Sequence, residues 1–225
     1  MSDFLGKTLQ LFHTAPALVP VFDALAAEMA PGLVLRHTVR EDLLKRAIDL
    51  GEATPEVIEA AASAIVEEIR KGADAIVCTC STIGAAADLA DKQTHLPVFR
   101  IDRAMARESV GLGGRILVLA TLRTTIEPTV SLLRSEAVRL GRAPAVDSVV
   151  LDQARALFLS GNTDQYLQAV ADGINAAALD ADVVVLAQAS MAAALPLVKA
   201  GDVPILTSPR LGLSWVVHEL SEHSA

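Results

Sequence analysis

The chain has 225 residues and a formal net charge of −8 at pH 7, and 52% of its residues are hydrophobic although only 3% are aromatic. This length is sufficient for one large domain or two small ones with a sizeable core, and the composition excludes an intrinsically disordered chain. The acidic balance argues against a nucleic-acid partner and against an anionic membrane surface, both of which favour basic proteins. We therefore expect a small-molecule ligand.

The first twenty residues lack the basic segment, apolar stretch and cleavage site of a secretory signal peptide, and no apolar run reaches the length of a membrane span. We therefore expect a cytoplasmic protein. The two cysteines, Cys78 and Cys80, are separated by one residue on a predicted strand, where a disulfide between them would be strained. Free thiols in a reducing compartment are the expected state.

Runs rich in Val, Ile and Leu alternate with longer helical patterns along the chain, which is typical of parallel sheets flanked by helices. The predicted strands lie near 9–13, 33–39, 75–80 and 98–101, and then near 116–121, 146–151, 183–188 and 205–207. The sequence GLGGR lies before a strand and not after one, which predicts a turn rather than a phosphate loop. A final amphipathic helix is predicted over Gly212–Leu220 and is expected to pack back on the first half.

Two segments of the chain resemble each other: ADAIVCTCSTIGAA from Ala73, and ADVVVLAQASMAAA from Ala181, 108 positions later. The same offset relates the segment that starts at Lys7 to the one that starts at Arg115. These similarities predict an α/β fold of two pseudosymmetric lobes, each a four-stranded parallel sheet flanked by helices. The first lobe is expected to comprise residues 1–103 and 208–225, and the second lobe residues 104–207.

Ligands bind to open parallel sheets beyond the carboxyl ends of the strands, and Cys80, Ser81 and Thr82 lie at such an end. A thiol beside a helix N-terminus has a lowered pKa, and the helix amides can bind a carboxylate. Cys80 is therefore a candidate catalytic thiol, although a small buried hydrophobic residue is the alternative interpretation. Cys78 points to the same strand face one repeat deeper, which favours core packing.

Gln188 is the repeat partner of Cys80, and Ser190 is the partner of Thr82. A glutamine amide can donate and accept hydrogen bonds and so orient a substrate, but it cannot serve as an acid or a base near neutral pH. Thr82 and Ser190 are candidates for substrate binding, and ordinary helix N-caps are the alternative interpretation.

Further polar side chains follow the first strand of each half. His13 and Thr14 end one of these strands, and Thr121 and Thr124 follow the other. All four are candidates for substrate binding, and the threonine hydroxyls can contact a carboxylate or cap a helix. His13 and His37 are candidates for a second acid/base group, with a structural role as the alternative. No histidine spacing is typical of a metal site, and we expect no metal.

The stretches CTCSTIG, ATLRTT and ADVVVLAQASM, in this order, resemble the aspartate/glutamate/hydantoin racemase superfamily over nearly the whole chain. The resemblance implies a cofactor-independent enzyme with its active site in a cleft between the two lobes, where paired cysteines exchange a proton next to a carboxylate. It implies that Cys80 is the first of these cysteines, that Ser81 and Thr82 bind the carboxylate, and that Thr121 and Thr124 contact the substrate. It also implies a homodimer or a larger homo-oligomer.

The chain departs from this family pattern because Gln188 stands at the position of the second cysteine. The leading hypothesis is an isomerase of the racemase type in which Cys80 transfers a proton on a small amino-acid-like or dicarboxylic substrate. The alternatives are a one-thiol decarboxylase of a malonate-type substrate and an inactive carboxylate-binding protein.

Overall fold

The structure, a computed structural model, describes residue 4 and residues 6–222. Its chain contacts divide these residues into two compact units. The first unit comprises the described residues up to Arg103 and those from Pro209 onward, and the second unit comprises Ala104–Ser208.

Each unit contains one parallel sheet of four strands, in the order β2-β1-β3-β4 or β6-β5-β7-β8. The strands are β1 (Thr8–His13), β2 (Val34–Val39), β3 (Ala75–Cys78), β4 (Val98–Arg100), β5 (Arg115–Ala120), β6 (Ala145–Val150), β7 (Val183–Leu186) and β8 (Ile205–Thr207). The predicted α/β fold with two four-stranded parallel sheets is confirmed.

Helices connect successive strands on the faces of the sheets. The α-helices are α1 (Val19–Met29), α2 (Glu41–Leu50), α3 (Pro55–Ile69), α4 (Ala85–Asp91), α5 (Arg103–Leu112), α6 (Ile126–Leu140), α7 (Asp152–Leu159), α8 (Thr163–Ala177) and α9 (Ser208–Glu222). The 3₁₀ segments are Pro16–Leu18, Ser81–Ile83, Arg123–Thr125 and Ala189–Leu197. Within the described residues, no helix is both long and apolar enough to cross a membrane.

The central strands are buried and most of their residues are apolar, because both of their faces are covered. Leu9, Leu11 and Phe12 of β1 are fully buried, as are all four residues of β7. The edge strands β2 and β6 carry polar and partly exposed residues instead. The Val/Ile/Leu runs that predicted the strands are thus the cores of the two sheets.

The two sheets repeat each other with an offset that differs by one residue between strands. Ala75 of β3 pairs with Leu9, and Val183 of β7 pairs with Ile116. The offset is therefore 108 from β3 to β7 but 107 from β1 to β5. The predicted offset of 108 was wrong for β1, and the structural equivalent of Thr121 is Thr14 rather than His13.

The turn before β5 contains two glycines, and the structure shows why they are needed. Gly113 and Gly114 both have positive φ angles, which side-chain-bearing residues rarely adopt. A Cβ on Gly114 would also lie 2.2 Å from the Asp182 carboxylate, which accepts the N–H of Arg115 at 2.7 Å. The glycine pair thus makes the predicted turn.

Helix α9 packs on the first unit and extends beyond the predicted range. Gly212 lies so close to Ile101 that a Cβ would come within 2.0 Å of the Ile101 carbonyl oxygen. The Trp215 ring packs edge-on against Phe99, with ring centroids 5.3 Å apart. The close approach at Gly212 lets this helix cover the end of β4.

Candidate active site

Cys80 lies just beyond the carboxyl end of β3. The strand was predicted to extend to Cys80, but its pairing ends at Cys78, and Cys80 keeps an extended backbone before the 3₁₀ turn Ser81–Ile83. Helix α4 follows only after Gly84. Ser81 and Thr82 are buried in this turn.

Several hydrogen-bond donors surround the thiol of Cys80. The Thr14 and Thr82 hydroxyls and the backbone N–H groups of Thr82 and Ile83 form hydrogen bonds with it, which favour the thiolate and lower its pKa. Burial is the largest influence, however, and it raises the pKa of the Cys80 thiol above its ordinary value. The expected lowering of this pKa was wrong, because desolvation of the sulfur outweighs the donors of the short turn.

Cys78 is a buried core residue, as its position on the strand predicts. Its side chain is 1% exposed, and its thiol donates to the Cys80 carbonyl oxygen at 3.7 Å. Burial raises the pKa of Cys78 far above its ordinary value. Both cysteines are free thiols.

A buried arginine that sequence reasoning missed supports the turn after Cys80. Arg100, at the end of β4, forms two hydrogen bonds of 3.0 Å with Asp102 and one of 3.1 Å with Asp88. Its guanidinium lies against Gly84, where a Cβ would come within 2.7 Å of Nη2. The signal in the sequence was a charged residue inside the apolar run LPVFRID.

His13 is fully buried, and both of its ring nitrogens are engaged. Nδ1 lies 2.7 Å from the Thr79 hydroxyl oxygen, and Nε2 lies 2.9 Å from Nδ1 of His37. Burial, and to a smaller extent the neighbouring His37, lower the pKa of His13 to about 4. His13 is therefore neutral at pH 7 and has no ring nitrogen available for a substrate in this arrangement.

Gln188 occupies the position in the second unit that Cys80 occupies in the first. Its Oε1 accepts hydrogen bonds from the Thr121 N–H at 2.6 Å, the Leu122 N–H at 2.9 Å and the Thr121 hydroxyl at 3.1 Å. Because backbone N–H groups can only donate, they fix the orientation of the amide. The NH₂ group of Gln188 therefore points away from Thr121.

Two further predicted residues lie in the same region of the second unit. The Thr124 hydroxyl is buried and has no hydrogen-bond partner among the described residues, which is a costly state for a polar group. The Ser190 hydroxyl lies 3.4 Å from the hydroxyl of Tyr166 on α8. Sequence reasoning missed Tyr166, whose only signal was that the chain contains a single tyrosine.

No group of His, Cys, Asp and Glu side chains in the described part of the chain could hold a metal ion. The polar side chains singled out at the ends of β1, β3, β5 and β7 are instead thiol, hydroxyl, amide and imidazole groups. This set suits hydrogen bonding to a small polar ligand and proton transfer by a thiol.

Comparison with known proteins decides the family, because the Asp/Glu/Hydantoin racemase family model matches residues 14–214. The chain belongs to the Asp/Glu/Hydantoin racemase family. A search of the curated proteins found no match.

Solved structures of racemases share the fold of this family member. A glutamate racemase from Bacillus anthracis is 17% identical, with a TM-score of 0.72 over 98% of this chain and 83% of the other. A glutamate racemase from Thermus thermophilus is 20% identical, with a TM-score of 0.71 over 96% and 81%. An allantoin racemase from Klebsiella pneumoniae is 18% identical, with a TM-score of 0.67 over 97% and 89%. At these identities the likeness establishes the racemase fold.

Proposed function

We propose that this racemase-family chain is a cofactor-independent enzyme in which the Cys80 thiol transfers a proton at the carbon next to a carboxylate. The substrate is a small amino-acid-like or dicarboxylic acid, and the reaction is of the racemase or isomerase type. The convergence of hydrogen-bond donors on the Cys80 sulfur carries the proposal. These donors stabilise the negative charge that the sulfur acquires when its proton leaves.

Because its pKa is raised, the Cys80 thiol begins the reaction as a proton donor. At neutral pH the group is mainly protonated, so it delivers its S–H proton to a carbanionic carbon and becomes a thiolate. In the reverse direction, the thiolate takes the proton from the carbon. Thr14 and the amides of Thr82 and Ile83 lower the cost of the thiolate in both directions.

The proposal gives substrate binding to the remaining polar groups at the strand ends. In the first unit these are the hydroxyls of Thr14, Ser81 and Thr82, which suit a carboxylate. In the second unit, the buried Thr124 hydroxyl has hydrogen-bonding capacity that a ligand would satisfy. The Thr121 and Ser190 hydroxyls and the NH₂ group of Gln188 complete the proposed set.

Gln188 favours an alternative in which proton transfer occurs on one face of the substrate only. Its amide oxygen is held by three donors, and an amide does not exchange a proton near neutral pH. Decarboxylation of a malonate-type substrate needs one proton donor, and Cys80 supplies it. His13 or His37 would be a second acid/base group only after release of the hydrogen bond between them.

Deuterium incorporation followed by NMR in heavy water tests the proposal. Wild type, Cys80→Ser and Cys78→Ala are incubated with aspartate, glutamate, hydantoins, substituted malonates and maleate. We expect exchange or conversion of one class by wild type and by Cys78→Ala, and none by Cys80→Ser. Undiminished turnover in Cys80→Ser would disprove the assignment of the thiol.

A carboxylate-binding protein without turnover is the remaining alternative, and the same samples distinguish it. Isothermal titration of each compound against wild type and Cys80→Ser measures binding separately from chemistry. Tight binding of a carboxylate by both proteins, with no exchange in either, would favour the binding protein over the enzyme.

A further inference from the structure

A continuous chain of hydrogen bonds crosses one face of the first sheet. Asp23 of α1 lies 3.0 Å from Nε2 of His37, Nδ1 of His37 lies 2.9 Å from Nε2 of His13, and Nδ1 of His13 lies 2.7 Å from the Thr79 hydroxyl. The two imidazole rings are stacked, with centroids 5.2 Å apart. The chain leads from an Asp23 side chain that is 56% exposed to a hydroxyl that is buried.

When both histidines are neutral, one arrangement of protons satisfies the whole chain. The Thr79 hydroxyl donates to Nδ1 of His13, Nε2–H of His13 donates to His37, and Nε2–H of His37 donates to Asp23. Each ring then has one donor and one acceptor nitrogen, as a neutral imidazole requires. The proton on His13 is on Nε2.

One additional proton is accommodated when the hydrogen bonds between His37 and His13 and between His13 and Thr79 reverse their direction. His37 then carries protons on both nitrogens and donates to Asp23 and to Nε2 of His13. His13 remains neutral with its proton on Nδ1, which donates to Thr79. The Thr79 hydroxyl turns to the carbonyl oxygen of Phe12, which lies 3.2 Å away.

The surroundings place the added proton on His37 and not on His13. His13 is fully buried beside Phe22, and its low pKa disfavours a charge there. His37 is 17% exposed and contacts the Asp23 carboxylate. The arginines of β2 and its end are engaged elsewhere, Arg36 with the Lys71 carbonyl and Arg40 with Asp42.

This cluster is specific to the first unit and adjoins the candidate thiol. The equivalents of His13 and Thr79 in the second unit are Ala120 and Ala187, at offsets of 107 and 108 residues. The hydrogen bonds agree, because the Thr79 N–H donates to the Phe12 carbonyl as the Ala187 N–H donates to the Leu119 carbonyl. In the first unit, His13 directly precedes Thr14, and Thr79 directly precedes Cys80. The cluster therefore adjoins the two backbone segments that carry the Cys80 thiol and its Thr14 partner.

We propose that Asp23, His37 and His13 form a proton switch beside the Cys80 site, in which protonation of His37 changes the tautomer of His13 and turns the Thr79 hydroxyl from His13 to Phe12. The three residues are positioning residues, because they act on Cys80 through Thr14 and Thr79. The proton switch does not depend on the proposed function. Only the effect of the switch on catalysis rests on the proposed function of Cys80.

Long-range ¹H–¹⁵N NMR of the histidine rings tests the switch in the full chain. As the pH is lowered from 8 to 4.5, we expect the proton of His13 to move from Nε2 to Nδ1 at the same midpoint at which His37 gains a proton. A His13 tautomer that stays constant through the titration of His37 would overturn the proposal, and so would protonation of His13 before His37.

Backbone amide shifts in the same titration test the coupling to the site. We expect the Thr14 and Cys80 amide signals to follow the His13 midpoint, whereas those of their equivalents Thr121 and Gln188 do not. Amide shifts at Thr14 and Cys80 that are equal to or smaller than those at Thr121 and Gln188 would overturn the coupling. This outcome is independent of turnover, so a failed proposed function and a failed switch give different results.

Substitutions at Asp23 and His37 test the role of each residue in the proton switch. Asp23→Asn removes the exposed anion, and we expect it to lower the pH at which the tautomer of His13 changes. Asp49→Asn is the matched control, because Asp49 is 58% exposed and pairs with Lys45 on α2. His37→Gln is expected to abolish the tautomer change. Equal midpoints in wild type and Asp23→Asn would contradict the role of Asp23.

Discussion

The amide oxygen of Gln188 accepts hydrogen bonds from both the N–H and the hydroxyl of Thr121, at 2.6 and 3.1 Å. The structurally equivalent pair in the first unit is Cys80 and Thr14, whose hydroxyl forms a hydrogen bond with the thiol. The same position after the third strand of each sheet thus holds a titratable thiol in one unit and a fixed amide in the other. The two units therefore share a contact between a threonine hydroxyl and the residue after the third strand, but that residue can titrate only in the first unit.

Replacing Gln188 tests whether its amide oxygen anchors the loop after β5. In Gln188→Ala, the Thr121 and Leu122 N–H groups lose their acceptor, and we expect a loss of about 1–3 kcal/mol in the free energy of unfolding. Gln188→Glu keeps an acceptor of the same length and should be close to wild type. Urea denaturation measures both variants.

Gln168→Ala is the control for the glutamine series. The Gln168 side chain is exposed and donates to the Asp172 carboxylate four residues along the same helix, so its removal should change the stability by less than about 0.5 kcal/mol. If Gln188→Ala were as stable as Gln168→Ala, the anchoring role would be refuted.

Gly84 is expected to be intolerant of a side chain because of Arg100. Its backbone φ of −56° suits any residue, but a Cβ would collide with a guanidinium that three carboxylate contacts hold in place. We expect Gly84→Ala to lower the free energy of unfolding by about 1–3 kcal/mol. It should also displace the turn Ser81–Ile83 that follows Cys80.

Gly111→Ala provides the matched control, because Gly111 lies in α5 with open space around its Cα. This substitution should stabilise the chain by about 0.4–1 kcal/mol through the unfolded state. Thermal unfolding measures the stability of the two variants. A Gly84→Ala variant as stable as Gly111→Ala would show that the Arg100 side chain moves aside at little energetic cost.

The strand pattern was predictable from the sequence because the central strands are buried on both faces, so that β3, β5 and β7 are nearly continuous apolar runs, although β1 also carries Gln10 and His13. The ends of β3 and β7 were not, since Cys80 and Gln188 keep an extended backbone after the strand pairing has ended at Cys78 and Leu186. The pKa of Cys80 was predicted in the wrong direction because it depends on a balance between burial and donors. The contact between Gln188 and Thr121 joins residues 67 positions apart, and no local pattern indicates it.

The Thr14 hydroxyl is expected to control the reactivity of Cys80. Its removal in Thr14→Ala takes away a hydrogen bond that favours the thiolate, so the pKa of the thiol should rise further. We expect alkylation by iodoacetamide at pH 8 to slow by about three- to tenfold. Mass spectrometry of the labelled peptide assigns the modified residue, because Cys78 is buried and should remain unlabelled.

Thr14→Ser keeps the hydroxyl and should restore most of the rate. A Thr14→Ala protein that is alkylated as fast as wild type would show that the amides of Thr82 and Ile83 suffice to hold the thiolate.

The low pKa of His13 makes the stability of the chain depend on pH. The unfolded histidine takes up a proton near pH 6.5, whereas the folded residue does so only near pH 4. Between these values the unfolded chain binds the additional proton, so this contribution is complete above about pH 6.5 and is lost as the pH falls toward 4. The loss amounts to about 3–4 kcal/mol.

His13→Gln removes the titrating group and should flatten the fall in stability between pH 6.5 and 4. The variant is less stable than wild type at pH 7, because Thr79 and His37 lose a partner. Urea denaturation across this pH range measures the slope, with His95→Gln, a substitution at an exposed histidine, as the control. An equal slope in His13→Gln and wild type would mean that another group causes the acid sensitivity.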